Sequence, residues 1–105
     1  MIKMNKTITI EVKNETMIKV RFIERGDKHG RNNCLTYDKP EPIISFYDVT
    51  HDPEGKYMIS SYYVDTIKEH PYTEGLCLDG SHSQYALTRY DMALVKAWLF
   101  SEIRA

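Results

Sequence analysis

The sequence predicts an α+β fold: an antiparallel β-sheet of four to six strands, a C-terminal amphipathic helix packed on one face, and a short helix near 64–69. Three observations predict it. Apolar residues recur at helical spacing after Thr88. Apolar and polar residues alternate between Thr7 and Glu24, and the β-rich runs that follow are punctuated by Pro and Gly turns.

The first element justified is the last in the chain, the helix expected over Thr88 to Arg104. Thr88 is a natural N-cap, and Asp91 three residues on suits both a capping box and the positive end of the helix dipole. Met92, Val95, Leu99 and Ile103 share a face, and Leu94 and Trp98 are expected to widen the stripe. Such a helix needs a surface to cover. A sheet supplies it. Thr7 to Val12 alternates as a strand with one buried face, and Ile18, Val20 and Phe22 repeat the pattern. A three-residue loop, Asn14-Glu15-Thr16, sets Val12 opposite Ile18, Ile10 opposite Val20 and Ile8 opposite Phe22, and pairs Glu11 with Lys19 on the solvent face.

Residues 25–33 form a polar loop with Gly26 and Gly30. Cys34 to Tyr37 is a short strand candidate, and Pro40 and Pro42 mark a turn. Ile43 to Val49 reads as a central strand, followed by the turn cluster Thr50 to Gly55. Lys56 to Val64 fits either a strand or a helix, and a strand to about Ser60 followed by a helix through Glu69, stopped by Pro71, is expected. Leu76-Cys77-Leu78 and Tyr85-Ala86-Leu87 flank Asp79-Gly80, predicting a second small hairpin.

At 105 residues the chain is a single domain spanning 1–105. Its net charge of −1 argues against a DNA-mimicking surface. Residues 1–35 carry eight basic and four acidic residues, and residues 36–105 six and eleven, so the ends differ in sign. Cys34 and Cys77 sit in short apolar runs and are expected to be reduced, half-buried core residues. No secretory leader or membrane-length apolar run is recognised, so a cytoplasmic location is expected.

Four constellations of residues bear on chemistry. In the 25–33 loop, Gly26 and Gly30 with Arg25, Lys28 and Arg31 suggest a phosphate cradle, but no Gly-Lys-Ser/Thr or helix start follows, which favours a surface or protein-contact loop. Asp48, His51, Asp52 and Glu54 suggest a cation or general-base site if Asp27, His29 and Asp38 converge on them, but nothing in the spacing forces this and a solvated turn is the favoured reading. Cys34 or Cys77 paired with His29, His51, His70 or His82 suggests a nucleophile, yet neither cysteine starts a helix. The fourth is a contact surface built from Tyr37, Tyr47, Tyr57, Tyr62 and Tyr63, five of the eight tyrosines, together with Arg25, Asp27, Lys28, His29 and Arg31. Its alternative is that Tyr62 and Tyr63 point to opposite sides of a strand.

The run Arg21-Phe22-Ile23-Glu24-Arg25-Gly26-Asp27, Asn33-Cys34-Leu35, Phe46-Tyr47-Asp48 and Ser61-Tyr62-Tyr63-Val64 resembles small uncharacterised accessory proteins of bacterial phages and plasmids, over residues 6–100. The resemblance transfers no activity and no site residue. Proteins of that setting are often anti-defence factors, including anti-CRISPR proteins that block a host nuclease complex. The expected function is therefore a non-enzymatic, cofactor-free protein, monomer or homodimer, that sterically inhibits a bacterial defence complex. A nucleic-acid contact module using Lys13, Lys19, Arg21, Arg25, Lys28 and Arg31 is the second expectation, and a metal-dependent hydrolase centred on Asp48 and His51 the third.

Overall fold

A computed structural model of the chain describes residues 7–12, 15–24, 41–78 and 85–102. The elements run β1 (Thr7–Val12), β2 (Thr16–Ile23), β3 (Ile43–Asp48), β4 (Met58–Tyr63), α1 (Val64–Lys68), β5 (Leu76–Cys77), β6 (Ala86–Leu87) and α2 (Arg89–Glu102). The first four form an antiparallel sheet in sequence order; β5 and β6 form a separate two-stranded one. The fold is α+β, as the patterning predicts.

The alternation places Ile8, Ile10, Val12, Ile18, Val20, Phe22, Ile44 and Phe46 on one face of the sheet, where they meet Met92, Val95, Trp98 and Leu99 of α2. Trp98 and Leu99 are buried, so the helix seals the sheet. Its start is a reciprocal cap: the Asp91 N–H donates to Thr88 Oγ1 (3.1 Å) and the Thr88 N–H to Asp91 Oδ2 (2.9 Å). Two orphan donors at the helix start are thereby satisfied.

The structure corrects several local expectations. The β1–β2 loop again has three residues, but it comes one position earlier, so Val12 pairs with Thr16, Ile10 with Ile18 and Ile8 with Val20. The shift of partner is two residues, which leaves every side chain on its predicted face. Glu11 therefore faces Met17, and Lys19 lies between Thr9 and Tyr47. Glu15, at φ 58°, takes the left-handed conformation that three-residue hairpin loops use. Strand β4 continues through Tyr63 rather than ending near Ser60, because its residues pair with the buried β3, and α1 starts only at Val64. A bulge passes over Ile59 between the Phe46–Ser60 and Tyr47–Met58 pairs. Cys77 is exposed, not half-buried. The strand candidate Cys34–Tyr37, the 25–33 loop, Asp38 and Ile103 lie outside the described residues.

Two loops tie the layers together. A Cβ on Gly75 would lie 2.2 Å from the Leu87 carbonyl oxygen, so only glycine lets the start of β5 approach β6 this closely. Lys96 of α2 is 2% exposed; its Nζ donates to the His70 carbonyl oxygen and sits 3.8 Å from the centre of the Tyr72 ring. The lysine thus pins the segment after α1 to the helix.

Candidate interaction surface

Helix α2 is apolar on two sides. Its inner side carries the core residues. Its outer side presents Tyr90, Ala93, Leu94, Ala97, Phe100 and Ser101, all exposed and none charged. Tyr90 is 69% exposed, and Leu94 and Phe100 are 53% exposed each. A surface helix ordinarily turns charged and polar residues outward, so an uncharged outer stripe makes this side a candidate contact surface. The assignment of Leu94 to the core stripe is corrected: at 100° per residue it falls beside Tyr90 and Ala97, away from Met92, Val95 and Leu99. Cations edge the stripe at both ends. Arg89 stacks 5.0 Å from the Tyr90 ring centre, and the Lys68 Nζ lies 5.2 Å from that of Phe100. Tyr72, 63% exposed, is also carried by a helix cation, Lys96.

The four described tyrosines of the predicted contact patch do not share a face. Tyr47 is buried on the sheet face away from α2. Tyr62 turns toward the core and packs edge-on against Phe46, with ring centres 5.9 Å apart and planes at 82°. Tyr63, next to it on the strand, is half-buried on the opposite face. Tyr57 is exposed in the β3–β4 turn. Tyr37, Arg25, Asp27, Lys28, His29, Arg31 and Lys13 lie outside the described residues.

Asp48, at the end of β3, organises the turn rather than opening a cleft. Its Oδ1 accepts the N–H groups of Thr50 (3.0 Å) and His51 (3.1 Å), while Oδ2 meets His51 Nδ1 (2.7 Å) and accepts the Tyr85 hydroxyl (2.8 Å). Burial pushes this carboxyl up, but the hydrogen bonds from Tyr85 and His51 and the charge of His51 outweigh it and hold Asp48 below the ordinary carboxylate range. The Asp52 carboxylate accepts the Tyr57 N–H (2.9 Å), and Glu54 pairs with Lys56 (3.2 Å). Among the described residues no three His, Cys, Asp or Glu side chains gather to hold a metal ion. Asp27, His29, Asp38 and His82 lie outside them, as does Cys34.

Sequence reasoning missed the outer side of α2 and the buried Lys96. The signal for the first was present: the 89–102 window contains only Arg89, Asp91, Lys96 and Glu102 as charged residues, too few to clothe a two-sided helix.

The fold and this helix define a small α+β domain, a sheet sealed by one helix whose far side is an apolar surface without a described partner. No protein-family model, curated protein or solved structure matches the chain. Among the described residues no helix is long and apolar enough to cross a membrane.

Proposed function

We propose that the protein is a non-enzymatic binding protein that occludes the surface of a larger protein partner through the outer side of α2. The observation that carries this reading is the exposed, uncharged stripe Tyr90, Ala93, Leu94, Ala97 and Phe100. The small Ala93 and Ala97 leave a shallow channel between the larger side chains, a shape that accepts a ridge from another element.

Area favours a larger partner over a second copy. From Tyr90 to Ser101 the stripe is about 16 Å long and roughly 10 Å wide. Two such stripes meeting alone fall well below the ~800 Å² per partner of a stable interface. A larger protein can reach Tyr72 as well. Charge points the same way: Arg89 and Lys68 edge the stripe, so an apolar groove rimmed by carboxylates complements it, whereas two copies packed antiparallel would bring these cations together.

The resemblance to phage and plasmid accessory proteins supplies the first partner class to test, a bacterial defence nuclease complex. The purified protein is titrated into such a complex and assayed for protection of phage plating. A 1:1 complex is expected, weakened at least 100-fold by Ala97→Arg with the melting temperature unchanged. Wild-type binding by Ala97→Arg would overturn the reading, as would sedimentation showing a homodimer held by this stripe.

A further inference from the structure

The sheet face away from α2 carries a feature the binding reading does not use. Thr7, Lys19, Arg21, Tyr47, Glu54 and Gly55 line a cleft of about 300 Å³. Its floor follows from the register: Thr9, Lys19, Tyr47 and Met58 form one row across the four strands, and Thr7, Arg21, Ser45 and Ser61 the next. Lys19 and Arg21 are two apart on β2 and so rise from the same face, with backbones roughly 7 Å apart. Among the described residues neither side chain makes an ion pair or hydrogen bond, and the nearby Glu54 carboxylate is joined instead to Lys56 at 3.2 Å. Two unneutralised cations side by side repel each other, and an anion between them removes that cost.

Tyr47 also belongs to this cleft. Its ring is buried, with the residue 5% exposed, while its hydroxyl is not among the buried oxygens left without a partner and so reaches the cleft. A hydroxyl at the cleft wall with no hydrogen bond to the described residues can donate to a bound ligand. The β3–β4 turn fixes the ring: Gly55, at φ 64°, closes over it, with an ideal Cβ only 3.9 Å from Tyr47 Cδ2.

We propose that this cleft binds a phosphate monoester carried on a hydroxyl-bearing body, the ribose 5′-phosphate unit of a nucleotide. Lys19 and Arg21 take the phosphoryl oxygens, the Tyr47 and Thr7 hydroxyls donate to those that remain, and Glu54 accepts from sugar hydroxyls. Four donor groups are more than a carboxylate needs, and they suit the three terminal oxygens of a dianion. The volume lies at the lower end of small-molecule pockets, ample for a sugar phosphate and wasteful for a bare ion. A free nucleotide and the 5′-phosphorylated end of a nucleic-acid strand present the same unit.

Calorimetric titration of the full chain with inorganic phosphate, adenosine, AMP, and a short RNA with and without a 5′-phosphate tests this. AMP is expected to bind and adenosine not. Arg21→Ala and Lys19→Ala should each weaken AMP at least tenfold. Tyr47→Phe should weaken it about threefold while leaving the melting temperature unchanged, which separates a ligand contact from a structural one. Glu54→Gln should weaken AMP but not phosphate. Phosphorylated RNA binding at least tenfold tighter than AMP identifies a strand end as the source; equal or weaker binding identifies the free nucleotide. No binding of any phosphorylated probe at 5 mM, equal affinity for adenosine and AMP, or full affinity in Arg21→Ala would overturn the proposal.

Discussion

The two sides of α2 are built from similar residues and sit in opposite surroundings. The inner side, with Met92, Val95, Trp98 and Leu99, is closed against eight apolar residues of the sheet. The outer side, with Tyr90, Leu94 and Phe100, is left more than half exposed. The difference teaches that hydrophobicity locates a helix but does not say what it is hydrophobic for. Burial is concentrated on one side, and the proposed function assigns the other to association. Substitutions that shorten the same kind of side chain on each side should therefore separate folding from binding.

The largest effect is expected at the centre of the inner side. Leu99→Ala removes a side chain that is fully buried between helix and sheet, and should cost about 2–5 kcal/mol in urea unfolding. A cost below 1 kcal/mol would mean that the helix does not seal the sheet. Next comes Lys96, at the boundary between the two sides. Lys96→Met keeps most of the apolar stem but leaves the His70 carbonyl oxygen without its donor and Tyr72 without its cation. A loss of about 1–3 kcal/mol is expected, with hydrogen exchange accelerated first between His70 and Gly75.

This split also explains what the sequence could and could not show. Period-two alternation placed Ile8 to Phe22 on the correct face even though the predicted loop was off by one position, because the resulting change of partners is even. Thr88 and Asp91 announced the start of α2 through short-range hydrogen bonding that needs no tertiary information. Leu94 was misplaced because an apolar residue one turn from Trp98, about 40° beyond the edge of the core stripe, looks like its widening when no charge marks the outer side. Tyr62 and Tyr63 show a similar limit: composition clusters tyrosines, while strand geometry sends neighbours to opposite faces. Nothing local reveals that the Lys96 ammonium, 26 residues from His70, ends on a buried carbonyl. Lys19 and Arg21 were legible as basic strand residues, but their cleft with Tyr47 and Glu54 depends on the β2–β3 pairing and the turn above it.

A smaller effect tests the link between the sheet and the hairpin that feeds α2. Asp48 holds Tyr85, which packs against the core just before β6. Because the folded carboxyl lies below its ordinary value of 3.8, the folded state binds this proton more weakly than the unfolded chain. The stabilisation is therefore fully present above that value and is lost as pH falls below it through the folded value. The melting temperature of the wild type should fall in acid more steeply than that of Asp48→Asn, which is less stable at neutral pH but lacks this titration. Parallel acid slopes would show that the Tyr85 and His51 hydrogen bonds contribute nothing to holding the hairpin.

The smallest expected effect on folding is at Leu94. Its side chain is half exposed and lies outside the core cluster, so Leu94→Ala should change stability by no more than about 0.5 kcal/mol. Alanine's higher helix propensity offsets part of whatever contact with Tyr90 is lost. The same change should weaken partner binding at least tenfold, since a truncated apolar anchor at the centre of a contact loses both area and fit. Leu99→Ala and Leu94→Ala thus form a matched pair: the same atoms are removed from the same helix, one change read in the unfolding midpoint and the other in the dissociation constant. Should Leu94→Ala destabilise the isolated protein as much as Leu99→Ala, the outer side would be part of the domain's own core and the division between sealing and association would fail.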